Sequence, residues 1–243
     1  MNIALFGCGH TGREIEILAP ARGHSIAGIF TSRNPLTESG MAQLRASGVQ
    51  CCIDFSTPQT VVPNILLCLR EHIPIVVGTT GWHERLPEVR ALVERHNGAL
   101  VHASNFSAGA HIYFKLIAEA ARYFNTRSEF DASVHETHHR MKKDSPSGTA
   151  RTIAGILIEQ LERKRVLRTD ASQGPIAPEE LSVSSARVGS VFGTHTVTFS
   201  GEAEDIELTH RAHNRKGFAA GALTAAEWVQ GRTGVFTAED VFF

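Results

Sequence analysis

The chain has 243 residues, with 24 Lys and Arg against 25 Asp and Glu. This length is sufficient for one large domain or two modest ones with apolar cores. The net charge of -1 gives no general attraction for nucleic acids or anionic lipids. No apolar run approaches the roughly 20 residues that span a bilayer, and the first residues form a strand pattern without a basic leader. We therefore expect a cytoplasmic protein whose partners include neither nucleic acid nor membrane.

The first half of the chain alternates short apolar runs with amphipathic segments, as βαβ units around a parallel sheet do. The predicted strands are Ile3–Phe6, Ser25–Phe30, Cys51–Phe55, Ile73–Val77 and Ala99–His102. The predicted helices between them are Thr11–Leu18, Glu38–Ala46, Gln59–Leu69 and His83–His96. This order predicts an α/β domain with a doubly wound parallel sheet.

The pattern changes after a long predicted helix at Ile112–Phe124. A strand at residues 129–135 and a helix at Ser147–Arg163 come next. Three strand-like runs follow at Leu181–Val188, Thr194–Ser200 and Ile206–Thr209. Strands grouped in this way indicate an α+β domain with an open mixed sheet.

Two further segments complete the predicted organisation. Residues 165–180 are polar and contain Pro, which predicts a long loop. Phe218–Val229 has a helical pattern, and we expect this helix to pack back on the first domain. The expected domains are residues 1–106 together with 216–243, and residues 107–215.

The segment that follows the first strand is a complete G-x-G-x-x-G motif. In this context Gly7 permits a tight turn, Gly9 lets the backbone approach a pyrophosphate, and Gly12 allows close helix–strand packing. His10 and Thr11 open the helix, whose N-terminal N–H groups favour an anion. A glycine-rich turn without a ligand would have the same letters, but the strand–turn–helix context favours dinucleotide binding.

The end of the second strand bears on which dinucleotide binds. An acidic residue usually meets the ribose there, but this chain has Thr31, Ser32, Arg33 and Asn34. A hydroxyl and a guanidinium suit a 2′-phosphate, so the loop favours NADP. An Arg33 that only contacts solvent fits the sequence equally well.

His135, Glu136 and His139 form a literal H-E-x-x-H, the signature of zinc metalloproteases. That chemistry needs both histidines one turn apart on a helix, whereas residues 130–135 alternate as a strand does. The cationic side chains of Arg140, Lys142 and Lys143 would also lie beside the dication. We therefore expect no metal site.

The segment from His138 to Ala150 reads H-H-R-M-K-K-D-S-P-S-G-T-A and ends by opening a helix. Ser147, Gly148 and Thr149 offer hydroxyls and free N–H groups to an anion, and histidines and cationic side chains precede them. Together they predict a pocket for an anionic small molecule that carries carboxylates. A capped helix after a solvated basic loop is the alternative interpretation.

This segment, with Glu136 before it, resembles the signature E-A-H-H-x-x-K-x-D-x-P-S-G-T-A of the 4-hydroxy-tetrahydrodipicolinate reductase family, also called dihydrodipicolinate reductases. Five other segments resemble the family in order along the chain: Asp54–Pro58, Gly78–Gly81, Ser104–Ser107, Gly193–His195 and Ile206–His210. The resemblance implies an N-terminal Rossmann domain and a C-terminal sheet domain that carries substrate and builds a homotetramer. It also implies reduction of a cyclic dicarboxylate by NADPH or NADH in the diaminopimelate route of lysine biosynthesis.

The resemblance also implies roles for individual residues. His138 and Lys142 match the family's catalytic positions, although which of them delivers the proton stays open. The matching substrate-binding positions are His139, Ser147, Gly148 and Thr149. The loops that match those holding ribose and nicotinamide contain Gly78, Thr79, Thr80, Ala103, Ser104, Asn105 and Phe106. Two other functions stay open beside this reductase: a nucleotide-binding sensor or inactive paralogue, and a zinc hydrolase.

Overall fold

The apolar runs of the first half form a parallel sheet in the computed structural model, which describes residues 1–169 and 174–243. Its strands are β1 (Asn2–Phe6), β2 (Ser25–Phe30), β3 (Cys51–Asp54), β4 (Ile75–Val77), β5 (Ala99–His102) and β11 (Gly234–Thr237). They lie in the order β2-β1-β3-β4-β5-β11, and every neighbouring pair is parallel. The connections reverse direction between β1 and β3. In such sheets ligands bind in the crevice beyond the carboxyl ends of the strands at this point.

Helices cover both faces of this sheet. Their bounds are α1 (His10–Ala21), α2 (Glu38–Ala46), α3 (Val61–Arg70), α4 (Leu86–Arg95), α7 (Lys216–Trp228) and α8 (Ala238–Phe242). One core contains Met41 of α2, Ile65 of α3 and Val89 of α4. The other contains Ile15 of α1 and Leu223 of α7. These elements belong to one compact unit, Met1–Ala108 with Arg215–Phe243.

The second compact unit spans Gly109–Asn214 and contains a mixed sheet. Its elements begin with α5 (Ala108–Asn125), followed by β6 (Asp131–His138), α6 (Gly148–Gln160), β7 (Val166–Arg168), β8 (Glu180–Arg187), β9 (Gly193–Ser200) and β10 (Asp205–Ala212). In the order β10-β9-β6-β8-β7, the first two pairings are antiparallel and the last two are parallel. Ile117 of α5 and Ile153 of α6 pack on one face of the sheet with Val134 and Val197.

The fold class is confirmed: a doubly wound α/β sheet and a second, mixed sheet are both present. Several predicted bounds were wrong. Residues 166–168 of the expected loop form β7, because their backbone pairs with β8; residues 170–173 of that loop lie outside the described residues. The predicted helix His83–His96 starts as a 3-10 turn, His83–Arg85, and α4 begins next to Pro87, which is favoured in a first turn.

Two further elements were not predicted by the hydrophobic pattern, and one predicted strand is longer than expected. The short strand β11 forms because its backbone pairs in parallel with β5, and α8 follows it with a capping box between Thr237 and Asp240. Strand β6 extends three residues beyond the predicted end, to His138. Throughout the part of the chain that is described, no helix combines the length and apolarity needed to cross a membrane.

Candidate active site

The glycine motif forms the turn between β1 and the N-terminus of α1. Gly7 has a φ of 90°, and a Cβ there would lie 2.3 Å from the carbonyl oxygen of Phe55. A Cβ on Gly12 would lie 2.3 Å from the carbonyl oxygen of Gly7, whereas a Cβ on Gly9 would have no heavy atom within 4 Å. The turn is therefore closely packed except at Gly9, where the backbone is open to a ligand.

The start of α1 offers unused donors beside this open position. Gly9 is the N-cap residue, no side-chain hydrogen bond caps the helix among the described residues, and the first turn holds no acidic residue. His10 is exposed and Thr11 half-buried. The free N–H groups and the helix dipole make this end suitable for a phosphate.

Asp54, at the carboxyl end of β3, connects the loop after β3 to the predicted cofactor loop at Gly78–Thr80. Its buried carboxylate accepts hydrogen bonds from Ser56 N–H at 2.9 Å, from Ser56 Oγ at 2.7 Å and from Thr79 Oγ1 at 2.6 Å. Asn64 Nδ2 donates to its second oxygen at 2.8 Å. Asp54 thus fixes the loop after β3 to the loop after β4. Sequence reasoning assigned no role to this carboxylate.

The remaining nucleotide-site candidates lie at the same edge of the sheet. Thr79 is buried and Thr80 exposed, and a Cβ on Gly78 would overlap the Phe55 ring. After β5, Ala103 and Asn105 are half-buried and Ser104 is exposed. Phe106 is buried against α7, where a Cβ on Gly221 would lie 1.7 Å from the carbonyl oxygen of Phe106.

The chain after β2 makes a tight turn. The N–H groups of Thr31 and Asn34 donate to each other's carbonyl oxygens at 3.1 and 3.0 Å, and Arg33 N–H donates to Thr31 Oγ1 at 3.3 Å. Ser32 and Arg33 are exposed at the tip. The turn therefore places Ser32 and Arg33 at the carboxyl edge of the sheet. Neither residue carries a carboxylate.

In the second unit, the centre of the candidate site is Glu136 on β6, which is completely buried. One of its oxygens, Oε1, accepts hydrogen bonds from Ser147 N–H at 3.0 Å, Ser185 Oγ at 2.8 Å and Arg187 Nη2 at 3.0 Å. Burial raises the pKa of Glu136, but the contacts with His138, His195, Ser147 and Ser185 outweigh burial and hold the pKa well below its usual range. Glu136 is therefore an ionised carboxylate inside the unit.

Two histidines lie against the other oxygen of this carboxylate. His138 Nδ1 is 3.3 Å from Oε2 and His195 Nε2 is 3.6 Å from it, and their ring centroids are 5.0 Å apart. Burial lowers the pKa of His195, although Glu136 opposes the shift. Neither contact has the geometry of a good hydrogen bond, so Oε2 and His138 Nδ1 have no hydrogen-bond partner among the described residues.

The spacing of Glu136, His138 and His195 would also admit an ion, since one ligand atom from each lies within 4.8 Å of the others. However, the Arg187 guanidinium binds the same carboxylate, and a positive charge at this position opposes a dication. We interpret the three as a hydrogen-bonding and ion-pairing cluster.

The segment after β6 carries the other predicted catalytic residue. Lys142 Nζ lies 2.7 Å from Asp144 Oδ1, and Lys142 N–H donates to the His139 carbonyl at 3.1 Å. Arg187 Nη2 donates to the Asp144 carbonyl at 2.7 Å, which holds this segment to β8. His139 is half-buried. A cis bond joins Ser145 and Pro146 immediately before α6.

The N-terminus of α6 is partly satisfied by the chain itself. Ser147 is the N-cap residue; its Oγ accepts from Ala150 N–H at 3.1 Å and lies 3.2 Å from His195 Nε2. Its own N–H donates to Glu136. Gly148 is exposed and Thr149 half-buried, and a helix leaves the N–H groups of such first-turn residues without intrahelical acceptors. Gly148 and Thr149 therefore present the available donors.

The structure does not form the helix that the H-E-x-x-H letters would require. Glu136 and His138 share the buried face of β6, whereas His135 lies on the opposite face, where its Nδ1 is 2.8 Å from Ser184 Oγ. Side chains alternate across a strand. The sequence analysis missed three residues that surround Glu136: Ser185, Arg187 and His195. They lie on β8 and β9 and meet Glu136 only through strand pairing.

Taken together, the fold and site define a two-unit protein that combines a Rossmann-like nucleotide-binding sheet with a separate mixed-sheet unit. Two family models match almost the entire chain. The model described as dihydrodipicolinate reductase, N-terminus, matches residues 1–106, and the model described as dihydrodipicolinate reductase, C-terminus, matches residues 109–242. The chain therefore belongs to the dihydrodipicolinate reductase family, an oxidoreductase family that uses a nicotinamide cofactor.

Individual relatives agree with this assignment. A 4-hydroxy-tetrahydrodipicolinate reductase of Christiangramia forsetii is 36% identical over 241 residues, which cover 99% of this chain and 97% of the relative. That of Myxococcus xanthus is 41% identical over 215 residues, covering 85% and 78%. A dipicolinate-bound dihydrodipicolinate reductase from Paenisporosarcina sp. TG-14 has a TM-score of 0.77 at 24% identity, covering 98% and 97%, which supports the fold.

Proposed function

We propose that this protein reduces 4-hydroxy-tetrahydrodipicolinate to tetrahydrodipicolinate with NADPH or NADH, a step of the diaminopimelate route to lysine. Membership of the family over nearly the whole chain supports this function. The observation that carries it is the position of His138 at the buried Glu136 carboxylate, in the segment that leads through Lys142 to the open N-terminus of α6. That arrangement combines proton donors with an anion site.

The turn after β1 fits a dinucleotide. Gly9 leaves open the space that a side chain would fill, and the N–H groups of α1 are available to a pyrophosphate. We assign nucleotide contacts to Gly7, Gly9, His10, Thr11 and Gly12, and to the loops at Gly78–Thr80 and Ala103–Phe106. The cofactor supplies the hydride when bound, and these residues orient it.

In the second unit, we assign the substrate carboxylates to the N-terminus of α6. The N–H groups of Gly148 and Thr149 bind one carboxylate, and His139 contributes a second polar contact. Ser147 acts as the N-cap that holds this turn, since its N–H and hydroxyl bind within the protein. A dicarboxylate is held more tightly by such charge-assisted contacts than a neutral molecule would be.

The proton that completes the reduction comes from His138 or Lys142. His138 is almost fully buried, and its Nδ1 lies 3.3 Å from the Glu136 carboxylate. Lys142 is held by Asp144 and carries three donors. Either group supplies both a proton and a positive field where electron density accumulates on the substrate.

We further propose that the enzyme uses NADPH at least as well as NADH. The turn after β2 presents Ser32 and Arg33 where an acidic residue would otherwise accept hydrogen bonds from the 2′-hydroxyl. Without that carboxylate nothing repels a 2′-phosphate, and Arg33 offers it a charge-assisted contact.

We also propose a cytoplasmic homotetramer, a state that the family resemblance implies. The second sheet supports an association surface, because among the described residues α5 and α6 pack on the same face of it. On the opposite face of the sheet, β9 carries Thr194, Thr196 and Thr198. Thr196 Oγ1 lies 3.0 Å from Thr209 Oγ1 of β10, so this face presents a row of β-branched hydroxyl residues.

The direct test follows the absorbance of NADPH and of NADH after freshly generated 4-hydroxy-tetrahydrodipicolinate is added. Substrate-dependent oxidation of either cofactor is the expected result. Tight nucleotide binding without oxidation would indicate an inactive paralogue or a nucleotide sensor instead. Activity that is lost on removing a stoichiometric zinc ion and restored by its return would favour the metal-dependent alternative.

A further inference from the structure

We infer that Glu136 is a positioning residue: its ionised carboxylate fixes the orientation and tautomer of His138 and ties that ring to the substrate-binding end of α6. This inference rests on the proposed function, because it concerns how the proposed proton donor is held. It adds a role for a carboxylate that belongs to the signature but to which the resemblance assigned no role.

The first argument is the way in which the two carboxylate oxygens are used. Oε1 is anchored by Ser147 N–H, Ser185 Oγ and Arg187 Nη2 at 2.8–3.0 Å. Three donors from two segments, β8 and the start of α6, leave the carboxylate little freedom to rotate. Oε2 is consequently held towards the two histidine rings and keeps its capacity to accept hydrogen bonds.

The second argument is the tautomer that this oxygen selects. His138 Nδ1 lies 3.3 Å from Oε2 as an ion-pair contact, and it has no hydrogen-bond partner among the described residues. An ionised carboxylate accepts but does not donate, and its charge repels a nitrogen lone pair, so the tautomer with a proton on the facing nitrogen is favoured. A neutral His138 is therefore protonated at Nδ1. Its Nε2 is the atom through which a second proton is gained and donated.

The third argument is the space beside Nε2. A Cβ on Gly193 would lie 3.0 Å from His138 Nε2 and 3.5 Å from His195 Cε1. Because residue 193 has no side chain, β9 leaves the outer nitrogen of His138 unobstructed on that side. The inner nitrogen is thus fixed by Glu136, and the outer one is left free for chemistry.

The fourth argument is that the same carboxylate reaches the substrate side. Its bond to Ser147 N–H fixes the N-cap of α6, and Ser147 Oγ lies 3.2 Å from His195 Nε2. One anionic group therefore positions both the proton donor and the turn that binds the carboxylates. An orienting carboxylate of this kind acts through the histidine rather than on the substrate.

The experiment is a double-mutant cycle with Glu136→Gln and His138→Ala. Glutamine keeps the size of the side chain and an acceptor oxygen but removes the charge. With wild-type protein as the reference for turnover, Glu136→Gln should lower kcat by about 10- to 100-fold, a part of what general acid catalysis contributes, with nucleotide binding unchanged. In the His138→Ala background the same change should lower kcat by less than about twofold. Equal losses in both backgrounds would overturn the inference.

A second measurement needs no turnover and is made on the wild-type protein, with a variant used only to assign the signal. The imidazole nitrogen NMR signals of substrate-free protein, assigned with His138→Ala, report the tautomer of neutral His138. Protonation at Nδ1 is expected, and protonation at Nε2 would contradict the positioning role whether or not the reductase activity is found. An inactive wild-type protein whose His138 carries the proton at Nδ1 would count against the proposed function alone.

Discussion

At the scale of single residues, the two candidate proton donors are held very differently. His138 is 7% exposed and lies against a buried carboxylate, whereas Lys142 is paired with the exposed Asp144. The buried pair is little screened by solvent, whereas the outer pair is accessible to water. Because the two side chains lie in different surroundings, single substitutions can test the role of His138 and that of Lys142 independently.

We predict that His138→Ala and Lys142→Ala each lower kcat by about 10²- to 10⁴-fold if the residue protonates the substrate. Steady-state kinetics measures this loss, and nucleotide titration tests whether cofactor binding is retained. Unchanged turnover in both His138→Ala and Lys142→Ala would refute the catalytic assignment.

His139→Ala and Thr149→Ala should act mainly through KM, because a carboxylate contact made equally in the ground and transition states is uniform binding. Steady-state kinetics measures this change in KM.

The turn after β2 yields a prediction on cofactor preference. The ratio of kcat/KM for NADPH to that for NADH should be at least one, and about tenfold if Arg33 contributes one charged contact. Ser32→Glu should shift the ratio towards NADH by repelling the 2′-phosphate, and Arg33→Ala should lower it. A ratio that is insensitive to both changes would show that this turn does not contact the 2′ position.

The buried His102, at the end of β5, leads us to predict that the free energy of unfolding decreases at acidic pH. Burial, reinforced by repulsion from His83 and Arg90, lowers its pKa to about 4 even though Asp240 opposes the shift. The ordinary value is about 6.5, so as the pH falls from there to about 4 the unfolded chain binds a proton that the folded chain does not. The free energy of unfolding therefore decreases over this range.

The variant that tests this pH dependence is His102→Leu. The control is the same substitution at the exposed His213, His213→Leu. Neither ring nitrogen of His102 has a hydrogen-bond partner among the described residues, so the leucine variant should be at least as stable at neutral pH. Urea unfolding between pH 4 and 7 should show a weaker acid dependence for His102→Leu only. The same dependence in both variants would assign it to other groups.

At the scale of elements, the contact of α7 with the loop after β5 leaves almost no room for an added side-chain atom. A Cβ on Gly221 would lie 1.7 Å from the backbone oxygen of Phe106, whereas a Cβ on Gly217 would be 3.6 Å from the nearest atom, in Ser107. Both glycines are in the same helix. Only the first is required by close packing.

We predict that Gly221→Ala lowers the free energy of unfolding by about 1–3 kcal/mol through overpacking. It should also weaken nucleotide binding, because Phe106 belongs to the proposed nicotinamide loop. Gly217→Ala should be neutral or stabilising by up to about 1 kcal/mol, since alanine favours helix. Denaturant unfolding and nucleotide titration provide the comparison, and identical behaviour of the two variants would contradict it.

How far the sequence determines these elements depends on the range of the interactions. Hydrophobic alternation predicted most strands and helices, and the glycine motif predicted the turn after β1. Glu136 is in phase with Ala132 and Val134, so alternation also indicates that it faces the core. Its partners Arg187 and His195 could not be predicted, because their contacts depend on strand register across residues far apart in the chain. The four-residue β11 was missed for the same reason.

At the scale of the whole molecule, the uncovered face of the second sheet yields the oligomer prediction. Sedimentation should give about four times the chain mass of 26.4 kDa if the proposed tetramer forms. Thr196→Arg, which places a charge on this face, should dissociate the assembly, and Thr126→Arg in the turn after α5 is the matched control. A wild-type monomer would refute the tetramer, and an unaffected Thr196→Arg tetramer would place the interface elsewhere.

The first unit is assembled from two stretches of chain, Met1–Ala108 and Arg215–Phe243, with the second unit encoded between them. During synthesis, the first unit cannot be completed until residues 216–237 have been added, because α7 packs on α1 and β11 pairs with β5. The middle unit leaves the ribosome earlier and can complete its core first, since domains generally fold as units. A released chain that ends at Asn214 should therefore have a middle unit that resists proteolysis and a nucleotide-binding unit that is sensitive to it.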